Sequence, residues 1–217
     1  MARPRLVVLV SGRGSNLESL LAASRDGRLD ADVALVLSNR SEAGALQVAA
    51  KAGVPTRVVP SAGMPRDEHD LLVADAIDAA RGDLVLLAGY MRILGAAFIA
   101  RYRGRLLNIH PSLLPAFPGL DAQGQAHRSG ARLAGCSVHF VTEAVDAGPI
   151  VAQAALAVDP SWSVDELRAR ILALEHRLYP ACAQLVATGR ARLDGDRVVL
   201  AEPRVPREPL FSIEVGP

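Results

Sequence analysis

Short runs of β-branched and leucine-rich residues alternate along this chain with longer segments whose apolar residues recur at helical spacing. That alternation limits the possible folds more than any other feature. RLVVLVS (5–11) precedes NLESLLAASRDG; DVALVLS (32–38) precedes AGALQVAAKAG; TRVVP (56–60) precedes RDEHDLLVADAIDAARG; DLVLLAG (83–89) and RLLNIH (105–110) follow. Runs that are apolar at successive positions leave no face for solvent, so they belong to strands covered on both sides, as in a parallel sheet built from βαβ units. Helix ends are legible too. Gly27, Gly53 and Gly82 each follow a helical run where a left-handed residue is expected, and Ser15 or Asn16 stands where a cap for the first helix is expected.

The last third changes pattern. LAGCSVHFVT (133–142) and GPIVAQAALAV (148–158) read as two strands joined by the short loop EAVDAG, hence as an antiparallel pair. Ser163 opens a long helical segment, SVDELRARILALEHRLYPACAQLVATG, with Glu166 at capping-box spacing and Pro180 inside it, where a kink is expected. ARLDGDRVVL reads as a terminal hairpin, and EPRVPREPLFSIEVGP as an extension that hugs the surface or is partly loose. The expected class is α/β: a Rossmann-like, open, mostly parallel twisted sheet with helices on both faces and an antiparallel strand pair in the C-terminal part. At 217 residues and 50% hydrophobic content the chain is long enough for one good core. A single domain over 1–217 is expected, with 1–104 as an N-terminal βαβ half, 105–189 as a second half and 190–217 as hairpin and tail.

Charge and composition narrow the partners. The 24 basic and 23 acidic residues nearly cancel, so no global field gathers a phosphate polymer or an anionic surface, and neither a nucleic acid nor a membrane is expected as a partner. No window approaches the roughly 18 uninterrupted apolar residues of a membrane span. MARPRLVVLVSG reads as a first strand rather than a secretory leader, because its apolar run ends in glycine-rich loop signals. A cytoplasmic protein is expected, with Cys136 and Cys182 as free, buried thiols.

The first run ends in SGRGSN (11–16), and a helix follows at once. Gly12 and Gly14 permit a tight turn that aims the amides of Gly14, Ser15 and Asn16 at an anion held at the positive end of the helix. The glycines would equally serve the turn alone. The stretch is neither a full dinucleotide fingerprint, since Leu17 stands at the third glycine position, nor a Walker loop, since no lysine follows. A small monophosphate is the guest it suits. Arg13 either adds charge there or points to solvent.

RLLNIH ends in Asn108 and His110, two residues apart, so on an extended strand both side chains leave the same face. Pro111 fixes the exit of the chain directly after them. A lone histidine at a strand end is ordinarily a satisfied surface group; the matching amide makes this one a candidate acid or cation. Such an imidazole needs a carboxylate partner. Asp146, in TEAVDAGP (142–149), is one candidate and equally a plain turn residue. A zinc site from His127, Cys136 and His139 is disfavoured, since Cys136 and His139 face opposite sides of a strand. Ser112 lacks the G-x-S-x-G elbow of a serine hydrolase.

SGRGSN, LAGYMRIL (87–94), NIHPSLLPAFPG (108–119), SVHFVTEAVDAGPIVAQ (137–153) and ALEHRLYP (173–180) occur in an order and at intervals that resemble the phosphoribosylglycinamide formyltransferases, folate-dependent enzymes of de novo purine synthesis. The resemblance covers nearly the whole chain up to the terminal hairpin. It implies transfer of a formyl group from 10-formyltetrahydrofolate, a co-substrate, to the amine of glycinamide ribonucleotide, without a metal, by a monomer or homodimer. The family's catalytic trio falls on Asn108, His110 and Asp146: the amide and a protonated imidazole stabilise a tetrahedral intermediate, and Asp146 keeps the imidazole charged and serves proton transfer. The phosphate cradle falls on Gly14, Ser15 and Asn16, and the ribose contact on Glu175, which taken alone reads as part of a solvated helical face. The folate pocket falls on Met91, Arg92, Ile93 and Leu94, on the loop Thr142, Glu143, Ala144, Val145 and Asp146, and on Arg66.

One position departs from part of the family: some members carry histidine where this chain has Asp121, which puts a secondary proton-shuttling role there in doubt and leaves Asp121 as a cap for the helix that follows. Three related functions compete. A formyltetrahydrofolate hydrolase shares the trio and gives the formyl group to water, but usually carries an added N-terminal regulatory domain, not expected when the first strand starts at about Arg5. A methionyl-tRNA formyltransferase needs a further C-terminal domain and a basic surface. A noncatalytic phosphate-binding module on the same fold predicts damage to the trio, and all three residues are present.

Overall fold

In the computed structural model, which describes residues 2–202 and Ser212, the first five apolar runs form β1 (Arg5–Val10), β2 (Asp32–Ser38), β3 (Thr56–Val58), β4 (Leu84–Leu87) and β5 (Leu106–His110). They pair in parallel in the order β3-β2-β1-β4-β5. Alternation along β1 explains the two layers. Leu6, Val8 and Val10 pack with α1 (Ser15–Arg25), α2 (Gly44–Lys51) and the long α6 (Val164–Ala187); Val7 and Leu9 pack with α3 (Arg66–Ala79) and α4 (Ala96–Arg101). None of these five side chains is exposed, and each such burial is worth about 1.5–3 kcal/mol.

β6 (Leu133–Phe140) and β7 (Ile150–Ala157) form the expected antiparallel pair, and β6 also runs antiparallel to β5, which extends the sheet to seven strands. The two halves of the chain therefore share one sheet. β8 (Ala191–Asp194) and β9 (Arg197–Leu200) form the terminal hairpin around Gly195 and Asp196. The extension expected over 202–217 lies outside the described residues, save Glu202 and Ser212.

α6 is entered through the capping box: Ser163 Oγ accepts the Glu166 N–H at 3.3 Å and Glu166 Oε2 accepts the Ser163 N–H at 2.7 Å. The helix continues past Pro180, where the missing N–H deprives the His176 carbonyl of its usual partner. One residue earlier, the buried Tyr179 hydroxyl shares its proton between the Leu87 carbonyl at 2.9 Å and the Leu107 carbonyl at 3.2 Å, fastening α6 to β4 and β5.

Three details differ from the sequence expectations. Neither Ser15 nor Asn16 caps α1; Gly14 is its N-cap, in the left-handed region, and no side chain takes the first amides. After α3 the left-handed residue is Arg81 (φ 52), and Gly82 is required for a different reason: a Cβ there would stand 2.7 Å from Val7 Cγ2. α4, six residues long, is too short to announce itself by periodicity.

Candidate active site

β1 and β4 lie side by side while the chain leaves them toward opposite edges of the sheet, and open α/β sheets hold ligands beyond the carboxyl ends of strands at such a switch point. The segment after β1 is the glycine turn. At Gly14 both the backbone (φ 95) and the packing demand glycine, since a Cβ would lie 2.7 Å from Ala45 Cα at the start of α2. The amides of Ser15, Asn16 and Leu17 open α1, where helix geometry supplies them no acceptor, and they carry the positive end of the dipole. Arg13 is exposed beside them.

Asn16 Nδ2 donates to Glu175 Oε2 at 2.6 Å, joining the start of α1 to the middle of α6. Glu175 is only 6% exposed, so it is not part of a solvated face. Burial pushes its carboxyl above the usual range, against the opposing effect of the Asn16 bond. Asn16 Oδ1 is buried without a partner, so this corner holds an unused acceptor.

Beyond β5 lies the acid-base cluster. Leu107 and Ile109 point into the α6 side of the sheet, which leaves Asn108 and His110 on the other face together, as two-residue spacing requires. The β6–β7 loop brings Asp146 to them in a left-handed conformation (φ 52) that aspartate tolerates better than most residues. Its Oδ2 lies 3.3 Å from His110 Nδ1 and accepts the Gly119 N–H at 2.8 Å; its Oδ1 accepts Asn108 Nδ2 at 3.4 Å. Burial raises the Asp146 carboxyl, but the His139 and His110 imidazoles and the Gly119 N–H outweigh it and bring the group below the ordinary carboxylate range. It is therefore an ionised acceptor at neutral pH.

His110 Nε2 faces the Phe117 carbonyl at 2.9 Å. Both ring nitrogens thus meet acceptors, and a ring with a proton on each satisfies both. The Asn108–Asp146 and His110–Asp146 contacts are longer than good charge-assisted bonds, so these two donors are only loosely committed to the carboxylate. An oxygen acquiring negative charge between them would draw both.

A family model described as formyl transferase matches residues 4–183. The chain belongs to the formyl transferase family. It is 41% identical over 202 residues to the phosphoribosylglycinamide formyltransferase of Escherichia coli (strain K12), covering 93% of this chain and 95% of that one. It is 45% identical over 192 residues to the trifunctional purine biosynthetic protein adenosine-3 of Drosophila melanogaster, covering 87% of this chain and 14% of that longer protein. The crystal structure of glycinamide ribonucleotide transformylase 1 from Symbiobacterium toebii matches it with a TM-score of 0.89 at 46% identity, covering 93% of this chain and 95% of that one.

The segment after β4 carries the other expected residues. Met91 and Ile93 are exposed and Leu94 is buried. Arg92 turns its guanidinium away to the carbonyls of Ser61 and Met64, both at 3.1 Å, so what this segment offers a ligand is mostly backbone and apolar surface. Arg66 is the first residue of α3 and is exposed. On the other loop Glu143, Ala144 and Val145 are exposed, and Thr142 Oγ1 donates to the Ala144 carbonyl at 3.3 Å.

Two participants escaped the sequence reading. His139 stands directly opposite Asn108 in the β5–β6 register; its Nδ1 bonds the Phe140 carbonyl at 3.0 Å, and its Nε2 lies 3.2 Å from Asn108 Nδ2 and 3.7 Å from Asp146 Oδ1. The Phe117 carbonyl, delivered by a left-handed backbone (φ 54), has no side-chain signature at all. Asp121 occupies the N-cap position of α5 (Ala122–Arg128) without capping it; its carboxylate pairs instead with Arg168 at 2.8 Å and Arg128 at 3.1 Å, which hold it below the ordinary range.

The residues of the competing site readings go elsewhere. His127 bonds the Trp162 carbonyl at 2.8 Å, Cys136 is buried in the α6-side core, and His139 belongs to the cluster above. Ser112 Oγ donates to the Ala116 carbonyl at 2.6 Å. Cys136 and Cys182 are both free and buried, each thiol pushed up to about 12 by burial. Cavities of about 130 Å3 behind the 111–117 loop and about 280 Å3 between α3 and α4 are not lined by Asn108, His110 or Asp146.

Proposed function

We propose that this chain moves the formyl group of 10-formyltetrahydrofolate to the amine of 5-phosphoribosylglycinamide, a step of de novo purine synthesis. The observation that carries the reading is the meeting of Asp146 with His110 and Asn108, in a chain 41% identical over nearly its full length to a protein named phosphoribosylglycinamide formyltransferase. Gly14, Ser15 and Asn16 cradle the substrate phosphate, and Glu175 takes the ribose hydroxyls. Met91 to Leu94, Thr142 to Asp146 and Arg66 border the folate. As the amine attacks the formyl carbon, Asn108 Nδ2–H and the Nε2–H of the His110 imidazolium meet the developing oxyanion, the latter leaving the Phe117 carbonyl for it. Asp146 keeps the imidazolium paired and relays the proton lost by the amine, through water, to the folate nitrogen that departs when the old C–N bond breaks.

The enzyme acts in the cytoplasm on small molecules, as a monomer or homodimer, with no metal, nucleic acid or membrane partner. In support, the charges nearly balance, and among the described residues no helix is long and apolar enough to cross a membrane. The test is to follow loss of formyl-folate with and without glycinamide ribonucleotide. Consumption that requires the acceptor and yields formylated ribonucleotide supports the proposal. Equal consumption without it means that water is the acceptor and the chain is a hydrolase.

A further inference from the structure

The two ligand-bearing segments at the switch point are tied together by a buried polar relay that the chemistry above does not use. Ser11, the residue directly after β1, accepts the Met91 N–H on Oγ at 2.8 Å and donates to Asn39 Oδ1 at 2.6 Å. Asn39, directly after β2, donates from Nδ2 to Ser61 Oγ at 3.1 Å, and its carbonyl lies 3.4 Å from the Ser61 N–H. Ser61 in turn presents its carbonyl to Arg92 Nη1 at 3.1 Å. One line of hydrogen bonds therefore crosses the ends of β1, β2 and β3 and returns to residues 91 and 92 after β4.

Ser11 is 4% exposed and Asn39 6%, so water does not readily replace a lost partner. The Ser11 hydroxyl has one proton, and Asn39 takes it; its lone pair is thereby left facing Met91. Met91 has an exposed side chain, and the only fixed feature it offers is its backbone, held by this bond. The relay thus sets the depth of the 91–94 segment against the very loop that carries Gly14, Ser15 and Asn16.

We infer that Ser11 and Asn39 are positioning residues for formyl transfer: they fix the Met91–Leu94 wall of the folate site relative to the phosphate cradle. The inference rests on the proposed function and deepens it. Neither residue touches a reacting atom. Removing the Ser11 hydroxyl frees the Met91 amide and lets the wall relax, which weakens the formyl-folate site and leaves the phosphate cradle intact.

The test is Ser11→Ala, assayed for formyl transfer with each substrate varied in turn, with thermal unfolding and amide hydrogen exchange on the same samples. KM for formyl-folate should rise about tenfold, the loss of one buried hydrogen bond, with kcat and KM for glycinamide ribonucleotide within about twofold. The Met91 amide should exchange faster while those of Ser15 and Asn16 do not change. Should Ser11→Ala fold poorly, Ser61→Ala, at the half-buried far end of the relay, is read the same way and should give a smaller rise in the same KM. An unchanged formyl-folate KM in a folded variant overturns the inference. So does an equal rise in both KM values accompanied by a lower Tm, which marks general destabilisation. Absence of formyl transfer in the unsubstituted protein sinks the functional proposal as well, and is told apart because it shows before any residue is changed.

Discussion

The Asp146 carboxylate lies 3.3 Å from His110 Nδ1, although one residue ends β5 and the other rides on the loop between β6 and β7. β6 runs antiparallel to β5 and so ends opposite Leu107, near the start of β5; the β6–β7 loop then folds back over the sheet to bring Asp146 to Asn108 and His110.

The carboxyl is held below its ordinary range, and the sign of its contribution to stability follows. A carboxyl depressed by folding stabilises the native state above its unfolded value of about 3.9, and the contribution fades as pH falls through the lower folded value. Asp146→Asn lacks the titrating group. The stability difference between wild type and Asp146→Asn, from urea unfolding, should shift against the wild type as pH falls below about 4. A difference independent of pH would remove the charge environment described for this residue.

Glu175 behaves in the opposite sense. Burial raises its carboxyl, so folding favours the protonated form, and stability present at low pH is lost as pH rises through the folded value. Glu175→Gln keeps an acceptor for Asn16 without a charge. At pH 7 it should be more stable than wild type by on the order of 1 kcal/mol, while binding glycinamide ribonucleotide about tenfold more weakly for want of a charged acceptor. Chemical unfolding and calorimetric titration read the two effects separately.

Gly14→Ala adds a Cβ that meets Ala45 Cα at 2.7 Å, at a left-handed position. We expect a loss of about 1–3 kcal/mol in stability and a loss of ribonucleotide affinity greater than that for folate. A substrate analogue without its phosphate should bind wild type far more weakly, and should bind Gly14→Ala about as well as it binds wild type. Equal affinity of wild type for the two ligands would rule out the cradle.

The sequence carried the parts that depend on local pattern. The βαβ rhythm, the Ser163–Glu166 capping box and the common face of Asn108 and His110 follow from periodicity, and the structure has all three. Residues brought in by tertiary register were not legible. His139 reaches the cluster because it opposes Asn108 across β5 and β6, a pairing that no spacing within either strand encodes. Glu175 had a signal that was available: Leu167, Ile171, Glu175, Tyr179 and Ala183 form an i, i+4 row, and the other four are buried. A carboxylate in the middle of an apolar row is a better mark of a site than its neighbour Arg177 is of a solvated face. The Phe117 carbonyl is backbone, and composition says nothing about where it points.

The central claim is that Asn108, His110 and Asp146 act together on the formyl group, and the most direct test is the rate of a single turnover in His110→Ala and Asp146→Ala, with ribonucleotide affinity measured on the same variants. The rate should fall by about a hundredfold or more in each, while the dissociation constant for glycinamide ribonucleotide stays within about threefold of wild type. Turnover near the wild-type rate in either variant would contradict the account.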